Sequence, residues 1–156
     1  MSDRNLTVAA WESLFRTQVT VMRALTADFP SEIMSLNEYD VMFNLSRQPD
    51  RSLRLRDINR TALITQPSVS RLVDRLTTRG LVEKREDPSD GRGTIVTLTD
   101  AGYELFRRVA VSHMRSITTH MGHTLSDEEL RQLIELTDRL RRGVSGSVAP
   151  GVPLPE

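Results

Sequence analysis

The stretch TQPSVSRLVDRLTTRG, residues 65–80, constrains this chain more than any other. Val69, Leu72, Val73 and Leu76 fall at i, i+3, i+4 and i+7, the stripe that buries one side of an amphipathic helix. At about 100° per residue, Arg71, Asp74 and Thr78 lie opposite that stripe, with Ser70 and Arg75 on its flanks. The outer face is hydrogen-bonding and partly cationic. Pro67 disfavours helix at Gln66 but is tolerated in a first turn, so Thr65 or Gln66 precedes the helix. At the other end Gly80 can adopt the left-handed conformation and Leu81 can pack back, which gives a helix of about four turns.

The rest of the chain bounds what such a helix can serve. At 156 residues the length suits one domain with a real core. No apolar run approaches the ~20 residues of a membrane span. The first thirty residues carry Asp3, Glu12 and Asp28 and no continuous apolar run, so no secretory signal is expected and the reading is cytoplasmic. With no cysteine, disulfides, thiolate metal sites and thiol redox sensing are excluded. The net charge of zero conceals an asymmetry: residues 47–92 hold 11 Lys and Arg against 7 Asp and Glu, and the remainder 10 against 14. The basic part contains the amphipathic helix.

Along the chain, Trp11, Leu14, Phe15, Met22, Leu25 and Phe29 repeat at helical spacing over residues 8–29, and Pro30 stops that helix. Ser35 and Glu38 form a capping box that opens a helix through Tyr39, Val41, Met42, Phe43 and Leu45, closed by Pro49 and Asp50. A short extended piece at 53–55 precedes a two-turn helix marked by Leu55, Ile58 and Ala62. Two short helices about four residues apart make a helix-turn-helix, in which the first braces the second against phosphates. After Gly80 the period becomes alternating: Val82 against Glu83 and Arg85, then the turn chemistry of DPSDGRG, then Thr94, Val96 and Leu98. This predicts a two-stranded wing with Arg92 near its tip. Thr99 caps a helix over 100–121 with Leu105, Val109, His113, Ile117 and His120 along one edge, ended by Gly122. A second capping box, Ser126 with Glu129, opens a last helix carrying Leu130, Leu133, Ile134, Thr137 and Leu140. The segment 143–156, rich in Gly, Pro and Ser, is expected to be disordered.

SVSRLVDRLTTRGLVEKRED, the wing DPSDGRG and TIVTLTDAG together resemble the multiple-antibiotic-resistance-regulator (MarR) family of winged-helix transcription factors. The resemblance covers most of the chain. It implies a mainly α fold with a small β-hairpin wing: one domain over 1–142, with a winged helix-turn-helix at about 36–98 and dimerisation helices at about 6–30 and 100–142. It further implies an intertwined homodimer, each subunit placing its recognition helix in the major groove and its wing in the minor groove. Carried onto this sequence, Gln66, Ser68, Ser70, Arg71 and Arg75 match recognition-helix positions and Arg92 the wing arginine, with Asp90 placed to orient it. One departure is Ser89, where the family wing commonly has a basic residue two positions after its first aspartate, here Asp87.

The chemistry of the residues agrees with these roles. Arg71 or Arg75 can present paired N–H donors to guanine O6 and N7, and Gln66, Ser68 and Ser70 suit phosphates or base edges. A wing arginine in a narrow A·T-rich minor groove reads shape and potential. The competing reading makes Arg71 and Arg75 ordinary surface residues, with Asp74 pairing locally. Trp11, Phe15, Phe43 and Met22 read as dimer and core packing. The resemblance adds a pocket for a small phenolic or amphipathic effector, for which Trp11, Phe15, Phe43 and His113 are the candidates.

The expected function is a sequence-specific, homodimeric DNA-binding regulator, a repressor at a palindromic operator. The alternatives are a winged helix used for protein interaction, which would not need Arg71, Arg75 and Arg92 on one side, and a metal-responsive regulator using His113, His120 and His123. No G-x-S-x-G, Gly-rich phosphate loop or H-E-x-x-H occurs, so no enzyme is expected, nor a cofactor or resident metal.

Overall fold

The computed structural model describes residues 3–62 and 66–145, with backbone only at Gln66 and Pro67. Its elements run α1 (Arg4–Asp28), α2 (Leu36–Ser46), β1 (Ser52–Arg54), α3 (Leu55–Thr61), α4 (Gln66–Thr78), β2 (Val82–Asp87), β3 (Asp90–Leu98), α5 (Asp100–Gly122) and α6 (Asp127–Ser145). The chain divides into two units between Ser116 and Ile117, within α5. The architecture is the mainly α winged helix-turn-helix that the sequence predicts. No helix among the described residues is long and apolar enough to cross a membrane.

The first unit is built around α4. Val69, Leu72, Val73 and Leu76 are at most 2 % exposed and pack with Val41, Met42 and Leu45 of α2, Ile58 of α3, Val82, Val96 and Leu98 of the sheet, and Phe106 and Val109 of α5. Each such side chain contributes roughly 1.5–3 kcal/mol by leaving water. Phe106 and Ala110 were not on the α5 stripe expected from spacing, yet both are buried. At the end of α4 the Gly80 N–H donates to Thr77 and the Leu81 N–H to Leu76, both at 2.9 Å, with Gly80 at φ 71°. This closure uses the left-handed conformation that only glycine adopts without cost.

The closure is locked to the start of α5. Thr99 Oγ1 donates to the Gly80 carbonyl at 2.8 Å and accepts from the Gly102 N–H at 3.0 Å. A Cβ on Gly102 would lie 2.0 Å from the Leu81 carbonyl oxygen. The glycine in LTDAG is therefore required by the close approach of α5 to this turn.

The wing has three strands rather than two. β1 pairs antiparallel with β3, Ser52 to Thr97 through Arg54 to Ile95, so the sheet order is β1-β3-β2. The extended piece before α3 thus satisfies the free edge of β3, which would otherwise present unpaired backbone groups. Strand β3 begins at Asp90, so Gly91, Arg92 and Gly93 are strand residues and the turn is confined to Pro88 and Ser89. Helix α1 starts at Arg4, earlier than the apolar spacing indicates, because Asp3 caps it by accepting from the Asn5 N–H at 2.8 Å.

In the second unit, Ser126 and Glu129 form the expected reciprocal cap on α6. The helix runs past Gly143 to Ser145. A lone glycine costs a helix only about 1 kcal/mol and does not end it without a left-handed turn or a proline. That part of the tail is helical, and the remainder, 146–156, lies outside the described residues.

Candidate nucleic-acid interface

The exposed face of α4 carries charges with different engagements. Asp74 Oδ1 accepts from Lys84 Nζ of β2 at 2.5 Å, so the only carboxylate on the helix is taken by the wing and not by a neighbouring arginine. Arg71, exposed on the same face, makes no ion pair or side-chain hydrogen bond among the described residues. Arg75 differs: its Nε stands 3.8 Å from Glu38, whose other carboxylate oxygen lies 3.6 Å from Arg79. Arg79 also donates to the Ile33 carbonyl at 2.8 Å. Ser68 and Ser70 are half-buried, and Ser70 faces a cleft of about 250 Å3 shared with Arg54, Arg56, Asn59, Asp90 and Arg92. Ser70 and Arg92 are therefore brought together, whereas Arg75 is drawn toward α2. Gln66 begins α4, and its side chain lies outside the described residues.

The wing turn is held from within. Asp87, 3 % exposed, accepts from the Ser89 N–H at 3.0 Å and the Ser89 hydroxyl at 2.7 Å. Its second oxygen stands 2.7 Å from Arg54 Nε, and Arg54 Nη2 donates to Ser89 Oγ at 2.8 Å. The two Ser89 hydrogen bonds, with smaller help from Arg54 and Arg56, hold the Asp87 carboxyl below its ordinary value. Asp90 does not engage the Arg92 guanidinium as expected. Its carboxylate accepts from the Arg92 backbone N–H at 3.2 Å, two positions ahead at the start of the strand.

The four candidates for an effector pocket separate into two groups. Trp11 and Phe15 stack on each other at 5.5 Å on the outside of α1, 62 % and 50 % exposed. Phe43 lies in an aromatic cluster with Tyr39 and Phe106, and His113 packs edge-on against Tyr39 at 5.1 Å and Phe29 at 5.3 Å. Burial pushes the Tyr39 hydroxyl up to about 12 and the His113 imidazole below its ordinary value. Beside this cluster Pro30, Ile33, Leu105, Val109, Arg108 and Ser112 line a second cleft, of about 310 Å3. Among the described residues no three of His, Asp and Glu stand together as a metal site.

Residues 34–93, α2 through most of the wing, match the model of the MarR family. In solved structures, the chain superposes on Sco3205, a MarR family transcriptional regulator from Streptomyces coelicolor in complex with DNA. The TM-score is 0.79 at 28 % identity, over 99 % of this chain and 97 % of that one. Over this region, residues 34–93, the chain is similar to the MarR family. PecS of Dickeya dadantii, an HTH-type transcriptional regulator, is 25 % identical over 131 residues, 83 % of this chain and 78 % of that protein. The uncharacterized HTH-type regulator YdgJ of Bacillus subtilis is 30 % identical over 89 residues, a match that spans 57 % of this chain and about half (54 %) of that protein. Arg54, Arg56 and Lys84 join the site without having been singled out by sequence. The signal for one of them was present, since the extended piece before α3 sets Arg54 on the face opposite Leu53; Arg56 already lies in the first turn of α3.

Proposed function

We propose that this protein is a homodimeric, sequence-specific DNA-binding transcriptional regulator of the MarR family, a repressor of a palindromic operator, with α4 reading the major groove and Arg92 of the wing the minor groove. The observation that carries the reading is Arg71: a guanidinium on the exposed face of the helix-turn-helix, with no protein partner among the described residues, while the adjacent Asp74 is held by Lys84. A bidentate arginine contact to guanine is worth about 1–3 kcal/mol of discrimination. Ser70 and Arg92 sharing one cleft supports a common ligand for helix and wing. The winged-helix interaction module gives no reason for this placement.

The dimer is supported by α1, which leaves Leu6, Trp11, Leu14 and Phe15 exposed and buries only Leu25. An apolar face of this kind needs a partner, and two-fold symmetry then predicts half-sites about one turn (~10 bp) apart. A small phenolic or amphipathic effector is supported by the apolar cleft under Pro30 and Ile33 with Arg108 on its lining. Such a ligand releases DNA only through its differential affinity for a dimer with mismatched half-site spacing. Selection of bound duplexes from a random pool by the purified protein tests the reading. Convergence on an inverted repeat is expected; a pool that stays random overturns it.

A further inference from the structure

We propose that Arg54 is a positioning residue for DNA reading, a latch that fixes the wing to the helix-turn-helix and so sets where Arg92 stands relative to α4. The inference rests on the DNA-binding reading above.

Arg54 ends β1 and immediately precedes α3, so its backbone belongs to the helix-turn-helix. Its side chain reaches the wing turn, where one guanidinium engages both Asp87 and Ser89. The contact to Ser89 is a hydrogen bond and sets direction; the contact to Asp87 is a close ion pair without hydrogen-bond geometry, its buried oxygen otherwise unpartnered among the described residues. The wing is shaped to receive them. The β2–β3 register is regular from Val82–Leu98 to Glu86–Thr94 and then breaks, so that Asp87 pairs with Asp90. The break, a bulge, turns the Asp87 carboxylate inward, where it is nearly inaccessible to solvent. Gly93 leaves the space for it: a Cβ there would meet Asp87 Cβ at 3.1 Å and the Asp90 carbonyl at 3.2 Å. The lowered proton affinity of Asp87 agrees with a carboxylate kept ionised by these partners. The residue after Asp90 and Gly91 is Arg92, so whatever fixes this bulge also fixes the wing arginine. The latch closes one wall of the cleft that Ser70 and Arg92 share. In this wing Ser89 serves as an anchor point for Arg54.

A direct contact of Arg54 with phosphate makes the opposite prediction for its partner. Were Arg54 a DNA ligand, Asp87→Asn would liberate its charge and tighten binding; were it a latch, Asp87→Asn would loosen the wing and weaken binding. Asn preserves the acceptor for the Ser89 N–H and the side-chain volume, so the turn is retained. The test measures affinity for the selected duplex in wild type, Arg54→Ala and Asp87→Asn, each with and without Arg92→Ala, with thermal melts confirming that all are folded at the assay temperature. The expected result is a loss of about tenfold for Arg54→Ala and for Asp87→Asn when Arg92 is present, shrinking to within about twofold in the Arg92→Ala background, the non-additivity of residues that act as one unit. Tighter or unchanged binding by Asp87→Asn, or losses that simply add to that of Arg92→Ala, would overturn the latch while leaving the DNA-binding reading standing. A wild-type protein that binds no duplex would overturn both.

Discussion

Glu38 holds Arg75 from across the core: the carboxylate that closes the capping box of α2 stands 3.8 Å from the guanidinium of a residue expected to face DNA. Arg75 is 60 % exposed at its side chain, so the pair is weak and the arginine can turn to a ligand. Glu38 itself is buried and also faces Arg79. Replacing it by alanine removes a cap and a shared anion, and is expected to lower stability by roughly 1–3 kcal/mol in urea denaturation. Glu38→Gln keeps the capping bond to the Ser35 N–H and should cost about 1 kcal/mol or less. Equal losses for the two variants would show that the charge, and not the cap, is what α2 needs.

Gly102 and Gly91 make a matched pair. A methyl group on Gly102 would collide with the Leu81 carbonyl, whereas one on Gly91 meets nothing within 4 Å. Gly102→Ala is expected to destabilise by about 3 kcal/mol or more through overpacking against backbone. Gly91→Ala should stay within about 0.5 kcal/mol. Urea midpoints at constant slope distinguish them.

His113 gives stability a dependence on pH. Burial holds its pKa below the ordinary 6.5, and its Nδ1 is buried without a hydrogen-bond partner among the described residues. As pH falls below about 6.5, the unfolded chain takes up the proton before the folded one, so this group favours unfolding progressively until its lowered folded pKa is passed. His113→Phe, which keeps the edge-on packing against Phe29 and Tyr39, should flatten the fall in stability as pH drops below about 7. Parallel profiles for wild type and variant would assign the slope to other groups.

The outer face of α1 tests the dimer. Trp11→Glu places a charge against Phe15 on the apolar outer side of α1, at a site 62 % exposed in the single chain. Sedimentation should give a dimer for wild type and a monomer for the variant, because an unpaired charge buried at an interface costs several kcal/mol. A variant that remains dimeric would place the interface elsewhere.

Features governed by neighbours in sequence were legible without the structure. Both capping boxes depend on residues three apart, and the α4 stripe and its Gly80 stop follow from helical period and the left-handed turn. What escaped depends on partners far along the chain. The extended piece before α3 was legible but its pairing was not: it becomes β1 because β3 offers an edge, with Ser52 and Thr97 bonded through their hydroxyls across 45 positions. Arg54 meets Ser89 35 positions on. The hold of Glu38 on Arg75 is likewise tertiary, and no pattern within α4 reveals it. Glycines were only partly legible: turn chemistry marks Gly93, but the sequence does not say that Asp87 needs its empty side, nor that Gly102 faces a carbonyl.

The most direct test of the central claim measures binding of wild type and Arg71→Ala to the selected duplex and to a scrambled duplex over a range of salt concentrations. Wild type should prefer the selected duplex strongly and lose affinity steeply with salt, as phosphate contacts require. Arg71→Ala should lose about 1–3 kcal/mol per half-site of that preference, while affinity for the scrambled duplex changes far less. An Arg71→Ala protein that discriminates the two duplexes as wild type does would contradict the account, since the exposed guanidinium on α4 would then not be reading bases.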